Sequence, residues 1–410
     1  MAGKKELKRE IESAVLFALA KEPEAGLLQK IEHWPEVGNF ISSRKLAGRF
    51  YQRVKENHLF NLIPEPALEN LKQFYHLTAI KNKILFKEMQ RVCDQLKSPE
   101  INLILLKGAS LILRRVFQPG ERYQNDLDFL LSGMDRDTLK ETIFRLGYLS
   151  VQHSDQQDWS EANFKLSEGK SFGDAFSVFL EFHWTFRPLN YLSGEKLAKD
   201  ILNGSEAIGY DSRTYQIPRA ELQFYQAGLH GCAHHPFDSG YFWVSLMDLS
   251  ALASSLKLNY RQIINFAEDQ GLAQNLGVMS YLMAEKLHIF PEFWQELASR
   301  SPKLKPLIEQ TGQAIWWGFL NPRPISLIHI IYLFSPTEAK NKRNAFLELT
   351  GLRKRGEQVQ VNGVPLTSPR PRFFALLASR LRILDWDFLK LIWQTAKFCG
   401  KVKVYFPWGG

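Results

Sequence analysis

Asp126 and Asp128 lie two residues apart inside an otherwise apolar run, Asp126-Leu127-Asp128-Phe129-Leu130-Leu131. Residues two apart on a strand share one face, so this run presents two carboxylates side by side against apolar neighbours. Like charges on such a face cost stability unless something neutralises them. A hard divalent cation bound through oxygen does so, and a third acid, Glu181, sits in an equally apolar stretch, Val178-Phe179-Leu180-Glu181-Phe182. If the two strands are neighbours, the three acids meet on one face. The plainer alternative is a pair at a strand end, solvated and facing Arg122 or a lysine.

The surrounding pattern divides the chain. Residues 1–97 read as helical, with apolar positions at helical spacing over 6–20 and again from Pro66 to about Leu96, where Ser98-Pro99 stops the second helix. Residues 98–190 change to short apolar runs bounded by glycine. Strands are expected at 101–106, 126–131, 148–151 and 176–184, with a short helix at 111–116 and another that Asp135 caps and Gly147 ends. A parallel crossover is expected between the first two strands. The fold class is therefore α+β, a mixed-sheet core flanked by helical regions. Residues 191–336 read as largely helical, with candidates at 220–234, 243–256 and 260–268. Residues 337–410 form a basic segment with a hairpin around Val361-Asn362-Gly363-Val364 and an amphipathic helix over 373–398.

Composition excludes several classes. At 45% hydrophobic and 23% charged, the 410-residue chain is neither disordered nor fibrous. No apolar stretch approaches the ~20 residues of a spanning helix, and the N-terminus lacks the apolar core of a signal peptide. A cytoplasmic protein is expected. Cys93, Cys232 and Cys399 are too scattered for a disulfide framework. The net charge of +9 resides wholly beyond residue 337, where 14 basic residues face 5 acidic ones. Such a segment suits an anionic contact, and its amphipathic helix is a candidate for peripheral binding to the inner face of a membrane. Packing of that helix on the protein is the alternative.

Ahead of the acidic pair, Leu105-Leu106-Lys107-Gly108-Ala109-Ser110 reads as a strand, a glycine turn and a helix start. Backbone N–H groups at such a turn can hold phosphate, with Ser110 adding a hydroxyl and Lys107 a positive charge. A turn with no ligand is the alternative. His230 and His234 are one helical turn apart, with Cys232 and His235 beside them, yet no second ligand cluster follows at zinc-site spacing.

The order of these motifs carries more than any one of them. The leucine-rich Lys107-Gly108 turn, Arg122 four residues before Asp126-Leu127-Asp128, Gly147-Tyr148, and Glu181-Phe182-His183-Trp184 resemble the bacterial uncharacterised nucleotidyltransferase family. That family falls in the superfamily of DNA polymerase beta and the aminoglycoside nucleotidyltransferases. His230, His234 and the stretch from Trp243 to Asp248 echo its helical follow-on. The resemblance implies a nucleotidyltransferase core and transfer of a nucleoside monophosphate from an NTP to an acceptor hydroxyl, with pyrophosphate leaving. It implies Asp126, Asp128 and Glu181 as catalytic ligands of two Mg²⁺ ions, Mn²⁺ being an alternative. Lys107, Gly108, Ser110 and Arg122 would bind the nucleotide, and His183, His230 and His234 are candidates for substrate contact. No specific nucleic acid is expected as partner. A module of the same fold that binds without turnover is the competing reading.

Overall fold

The computed structural model describes residues 2–151, 161–166, 177–186, 194–231, 239–269 and 273–320, together with 360–361 and 364–365. The chain opens with helices α1 (Ala2–Leu19), α2 (Ala25–Leu28), α3 (Trp34–Ser43), α4 (Ala47–Glu56) and the long α5 (Glu65–Gln95). At ~1.5 Å per residue α5 runs for roughly 46 Å and reaches from the helical layer to the sheet. Pro66 stands at its first turn, where a missing N–H costs nothing. Glu88 near its far end accepts a hydrogen bond from the Tyr148 hydroxyl, 2.8 Å away, and so ties the helix to the sheet.

The sheet follows: β1 (Asn102–Leu105), α6 (Lys107–Leu113), β2 (Asp126–Ser132), α7 (Arg136–Arg145), β3 (Tyr148–Ser150), β4 (Glu161–Leu166), β5 (Phe179–His183), α8 (Gly194–Asn203), β6 (Ser205–Tyr210) and β7 (Arg213–Pro218). Its seven strands lie in the order β3-β4-β5-β2-β1-β7-β6. β2 with β5 and β1 with β7 are parallel, and the other neighbours are antiparallel. The mixed α+β class is as expected. Asp135 caps α7 by accepting from the N–H groups of Asp137 and Thr138, and Gly147 ends the turn beyond it at φ +86°. The remaining helices are α9 (Ala220–Leu229), α10 (Ser239–Ser255), α11 (Tyr260–Asp269), α12 (Ala273–Leu287), α13 (Pro291–Arg300) and α14 (Lys305–Phe319). The N- and C-terminal helices share one core. Phe40, Trp243 and Trp316 stack edge to face in sequence, and the Trp316 indole donates to Glu12, 2.7 Å away.

Three expectations are corrected. β1 and β2 are adjacent but antiparallel, with Leu105 opposite Phe129. The seven-residue α6 spans only about 10 Å, so the chain re-enters the sheet at the end where it left. β4 was not anticipated, although Ala162, Phe164 and Leu166 alternate inward. The sheet also runs past residue 190 to Pro218, because β6 and β7 form an edge hairpin within the stretch expected to be helical. Of the basic segment, β8 (Gln360–Val361) and β9 (Val364–Pro365) pair with Val361 opposite Val364, as the hairpin reading requires. The expected helix over 373–398 lies outside the described residues. Among the described residues no helix is long and apolar enough to cross a membrane.

Candidate active site

The parallel pairing of β2 with β5 sets the site. Its register places Asp128 beside Glu181 and Leu130 beside His183. Alternation sends Leu127, Phe129 and Phe182 to the opposite face, where Phe129 and Phe182 stack at 4.9 Å and fix the strands against slippage. On the site face Asp128 and His183 are buried, Glu181 is half-buried, and one ligand atom from each falls within 4.8 Å of the others. The His183 Nε2 lies 3.6 Å from Asp128 and 3.7 Å from Glu181.

Lys107, the first residue of α6 just past β1, completes the cluster. Leu106 donates its N–H to the Asp128 carbonyl at 2.9 Å, pinning the end of β1 to β2. Lys107 then takes a left-handed backbone conformation, φ +46°, that few side-chain-bearing residues adopt. The strain, of order 1–3 kcal/mol, accompanies a side chain directed into the acids. Its ammonium pairs with the Asp128 carboxylate and lies 3.6 Å from Glu181. Burial opposes its charge, yet Asp128, Glu181 and Asp126 together hold the lysine well above its ordinary range. His183 is likewise pushed down by burial and raised by Glu181 and Asp128, with a net shift upward.

Asp126 shares the strand face with Asp128 but stays outside the convergence of Asp128, Glu181 and His183. Burial and the neighbouring Asp128 raise its pKa, against the pull of Lys107, Arg122 and Lys45. The geometry groups His183 with Asp128 and Glu181, while Asp126, also expected as a ligand, lies next to that group on the same strand face. The two carboxylates suit Mg²⁺ or Mn²⁺, the imidazole suits a transition ion such as Mn²⁺ better than Mg²⁺, and the ammonium seated between the acids marks a position where positive charge is favoured.

The expected phosphate-holding groups are engaged within the protein. Ser110 is fully buried, and its hydroxyl donates to the Lys107 carbonyl at 2.8 Å. Arg122 forms a buried two-pronged pair with Asp248 of α10, at 3.0 and 2.9 Å. Gly108 lies under that guanidinium, where an added Cβ would come within 2.6 Å of Arg122 Nη1 and 2.4 Å of Gln124 Oε1. Its role is thus to admit Arg122 and Gln124. His230, at the end of α9, lines a small cavity of about 20 Å³ together with Lys107, Arg122, Gln223, Gln226 and Asp248, room for about one water. His230 Nδ1 lies 3.4 Å from the Ser245 hydroxyl. His234, and Cys232 and His235 beside it, lie outside the described residues.

The loop between α6 and β2 is held from the N-terminal helices. Asn82 of α5 donates to the carbonyls of Pro119 and Arg122 at 2.6 and 2.9 Å, and Arg49 of α4 pairs with Glu121. Lys81 donates to Asn125 Oδ1 at 2.6 Å and to the Tyr123 hydroxyl at 3.2 Å. Sequence reasoning passed over these supports, although Thr78, Lys81, Leu85, Met89 and Val92 sit on one buried stripe. A lysine on an apolar stripe was the available signal.

No curated protein matches the chain. A solved structure, described as an antigenic nucleotidyltransferase-like protein from Paracoccidioides brasiliensis, aligns with 13% identity and a TM-score of 0.30, covering 56% of this chain and 92% of that one. The model of the family described as uncharacterised nucleotidyltransferase matches residues 31–288, a span that contains the acidic strand, Lys107, Glu181, His183 and Asp248. This chain belongs to that uncharacterised nucleotidyltransferase family.

Proposed function

We propose that the protein transfers a nucleoside monophosphate from an NTP to an acceptor hydroxyl in a divalent-metal-dependent reaction. The observation that carries the reading is the convergence of Asp128, Glu181 and His183 on neighbouring parallel strands, within a family of nucleotidyltransferases. Asp128 and Glu181 would hold Mg²⁺ or Mn²⁺ through oxygen, with Asp126 beside them as the next carboxylate along the strand, and His183 would add a nitrogen ligand suited to Mn²⁺. A bound metal would supply Lewis-acid polarisation of the phosphoryl oxygens. The acceptor oxygen forms a bond to the α-phosphorus, the bond to the bridging oxygen of the β-phosphate breaks, and pyrophosphate departs. Glu181, the more open of the converging acids, takes the acceptor proton. Lys107 offsets the charge of Asp128 and Glu181 and keeps the pair from repelling in the absence of metal.

A second reading, a nucleotide- or protein-binding module without turnover, draws on the same lysine. Its ammonium already neutralises the acids, so the cluster does not require a metal to remain charged and folded. The two readings separate when each of the four NTPs, labelled at the α-phosphate, is incubated with the protein, Mg²⁺ and a fractionated extract as acceptor source. Label transfer that EDTA abolishes, and that Glu181→Gln cuts far more than it cuts nucleotide binding, supports the transferase. Metal-independent nucleotide retention with no transfer supports the module. The acceptor is a small molecule, sugar, peptide or protein hydroxyl, and the basic segment beyond residue 337 is proposed as a peripheral membrane contact.

A further inference from the structure

Resting on the transferase reading, we infer that Lys81, contributed by α5, forms the receptor for the nucleotide's phosphate chain. Lys81 is 7% exposed, and its ammonium is satisfied by neutral groups: the Asn125 side-chain oxygen at 2.6 Å, the Tyr123 hydroxyl at 3.2 Å and the Tyr123 ring, whose centre lies 4.7 Å away. Among the described residues no carboxylate pairs with it. A buried ammonium without an anion costs several kcal/mol in general, and two of its three N–H donors are used. Its net charge has no anionic partner among the described residues.

Position ties this cation to the site. Asn125, its hydrogen-bond partner, is exposed and directly precedes Asp126. Lys45, at φ +61° just past the end of α3, lies 5.4 Å from the same Tyr123 ring and 5.9 Å from that of Tyr241, and its charge is felt at Asp126. The two lysines thus share one aromatic ring at the entrance to the acidic strand. The groups first expected to hold phosphate are committed elsewhere: Lys107 to Asp128 and Glu181, Arg122 to Asp248, and Ser110 to a carbonyl. A triphosphate whose α-phosphate approaches the acids needs positive charge for its remaining phosphates, and Lys81 supplies it beside Asp126. The helical region would then belong to the active site.

The test uses the full chain, titrated calorimetrically with inorganic tripolyphosphate without metal and then with ATP, GTP, CTP and UTP in Mg²⁺. Lys81→Gln, which keeps a donor for Asn125 but no charge, should weaken tripolyphosphate binding on the order of thirtyfold. Lys81→Arg should restore most of it, and Lys45→Gln should weaken it less. Mn²⁺ affinity and melting temperature are followed in parallel. Wild type that does not bind tripolyphosphate, or Lys81→Gln that binds it equally well, would overturn the inference; so would Lys81→Gln losing Mn²⁺ affinity and fold together, which makes the lysine a loop support. Lys81-dependent tripolyphosphate binding in a protein that neither binds Mn²⁺ nor transfers label leaves the anion site standing and removes the transferase reading.

Discussion

Asp126→Asn and Asp128→Asn are expected to move stability in opposite directions, although the two residues share a strand face and a charge. Two residues along a strand separate them by about 6.7 Å, and at an effective dielectric near 20 their repulsion amounts to roughly 2.5 kcal/mol. For Asp126 that repulsion and burial outweigh the pull of Lys107, Arg122 and Lys45, so its folded pKa lies above the ordinary 3.8. A raised carboxylate pKa means that the folded state holds the proton more tightly than the unfolded one. Stability then declines as pH rises from about 3.8 through the folded value. Asp126→Asn should therefore raise stability at neutral pH, by no more than the roughly 2.5 kcal/mol of repulsion it relieves, a gain that fades as pH is taken toward 4. Asp128 differs because it is the buried partner of Lys107. Removing one member of a buried pair costs ~3–5 kcal/mol. Here Lys107 keeps Glu181 at 3.6 Å and the repulsion with Asp126 is relieved, which leaves a loss on the order of 2 kcal/mol. Metal-free thermal melts of wild type and both variants across pH 4 to about 8 measure this directly. An Asp126→Asn protein that melts below wild type at pH 7, or an Asp128→Asn protein that melts above it, would refute the charge assignments.

Gly108→Ala would press a methyl group against Arg122 and Gln124, and because Asp248 holds that guanidinium in a buried pair, a loss of about 1–3 kcal/mol is expected in urea unfolding. Glu10 accepts the backbone N–H groups of Glu32 and His33 and pairs with the His33 ring at 2.7 Å, which lowers the carboxyl against the effect of burial and raises the imidazole. The stabilisation from Glu10 is lost as pH falls through its lowered value. That from His33 is complete below about 6.5 and lost as pH rises through its raised value, so His33→Gln should flatten the alkaline side of the stability profile. Truncation after Thr367 should abolish low-salt sedimentation with phosphatidylserine vesicles; equal behaviour of both chains would remove the membrane proposal.

The part of the site legible beforehand was the part written as a conflict in the sequence. Carboxylates in apolar strands signalled a cluster, and Asp128 and Glu181 do meet, because strand register alone brings them together. Which third group joined them was not legible. His183 and Asp126 both lie on the correct face, and the choice depends on how β5 sits beside β2. Ser110 and Arg122 show a related limit: a motif names the residue type at a turn, whereas the three-dimensional neighbour, a carbonyl for one and Asp248 for the other, decides its engagement. The edge hairpin escaped notice because β6 is mostly exposed and has no inward alternation. Its turn, Asp211-Ser212 at φ +48° and +62°, also lacks the Asn-Gly or Gly signal usual for such a conformation.

Asp128, Glu181 and His183 are proposed to form a divalent-metal site. Titration of Mn²⁺ into the nucleotide-free protein, followed by electron paramagnetic resonance of the unbound ion, tests it most directly. Saturable binding is expected, abolished in Asp128→Ala, weakened in His183→Ala and displaced by competing Mg²⁺. Mn²⁺ binding that is absent in wild type, or unchanged in Asp128→Ala, would contradict it.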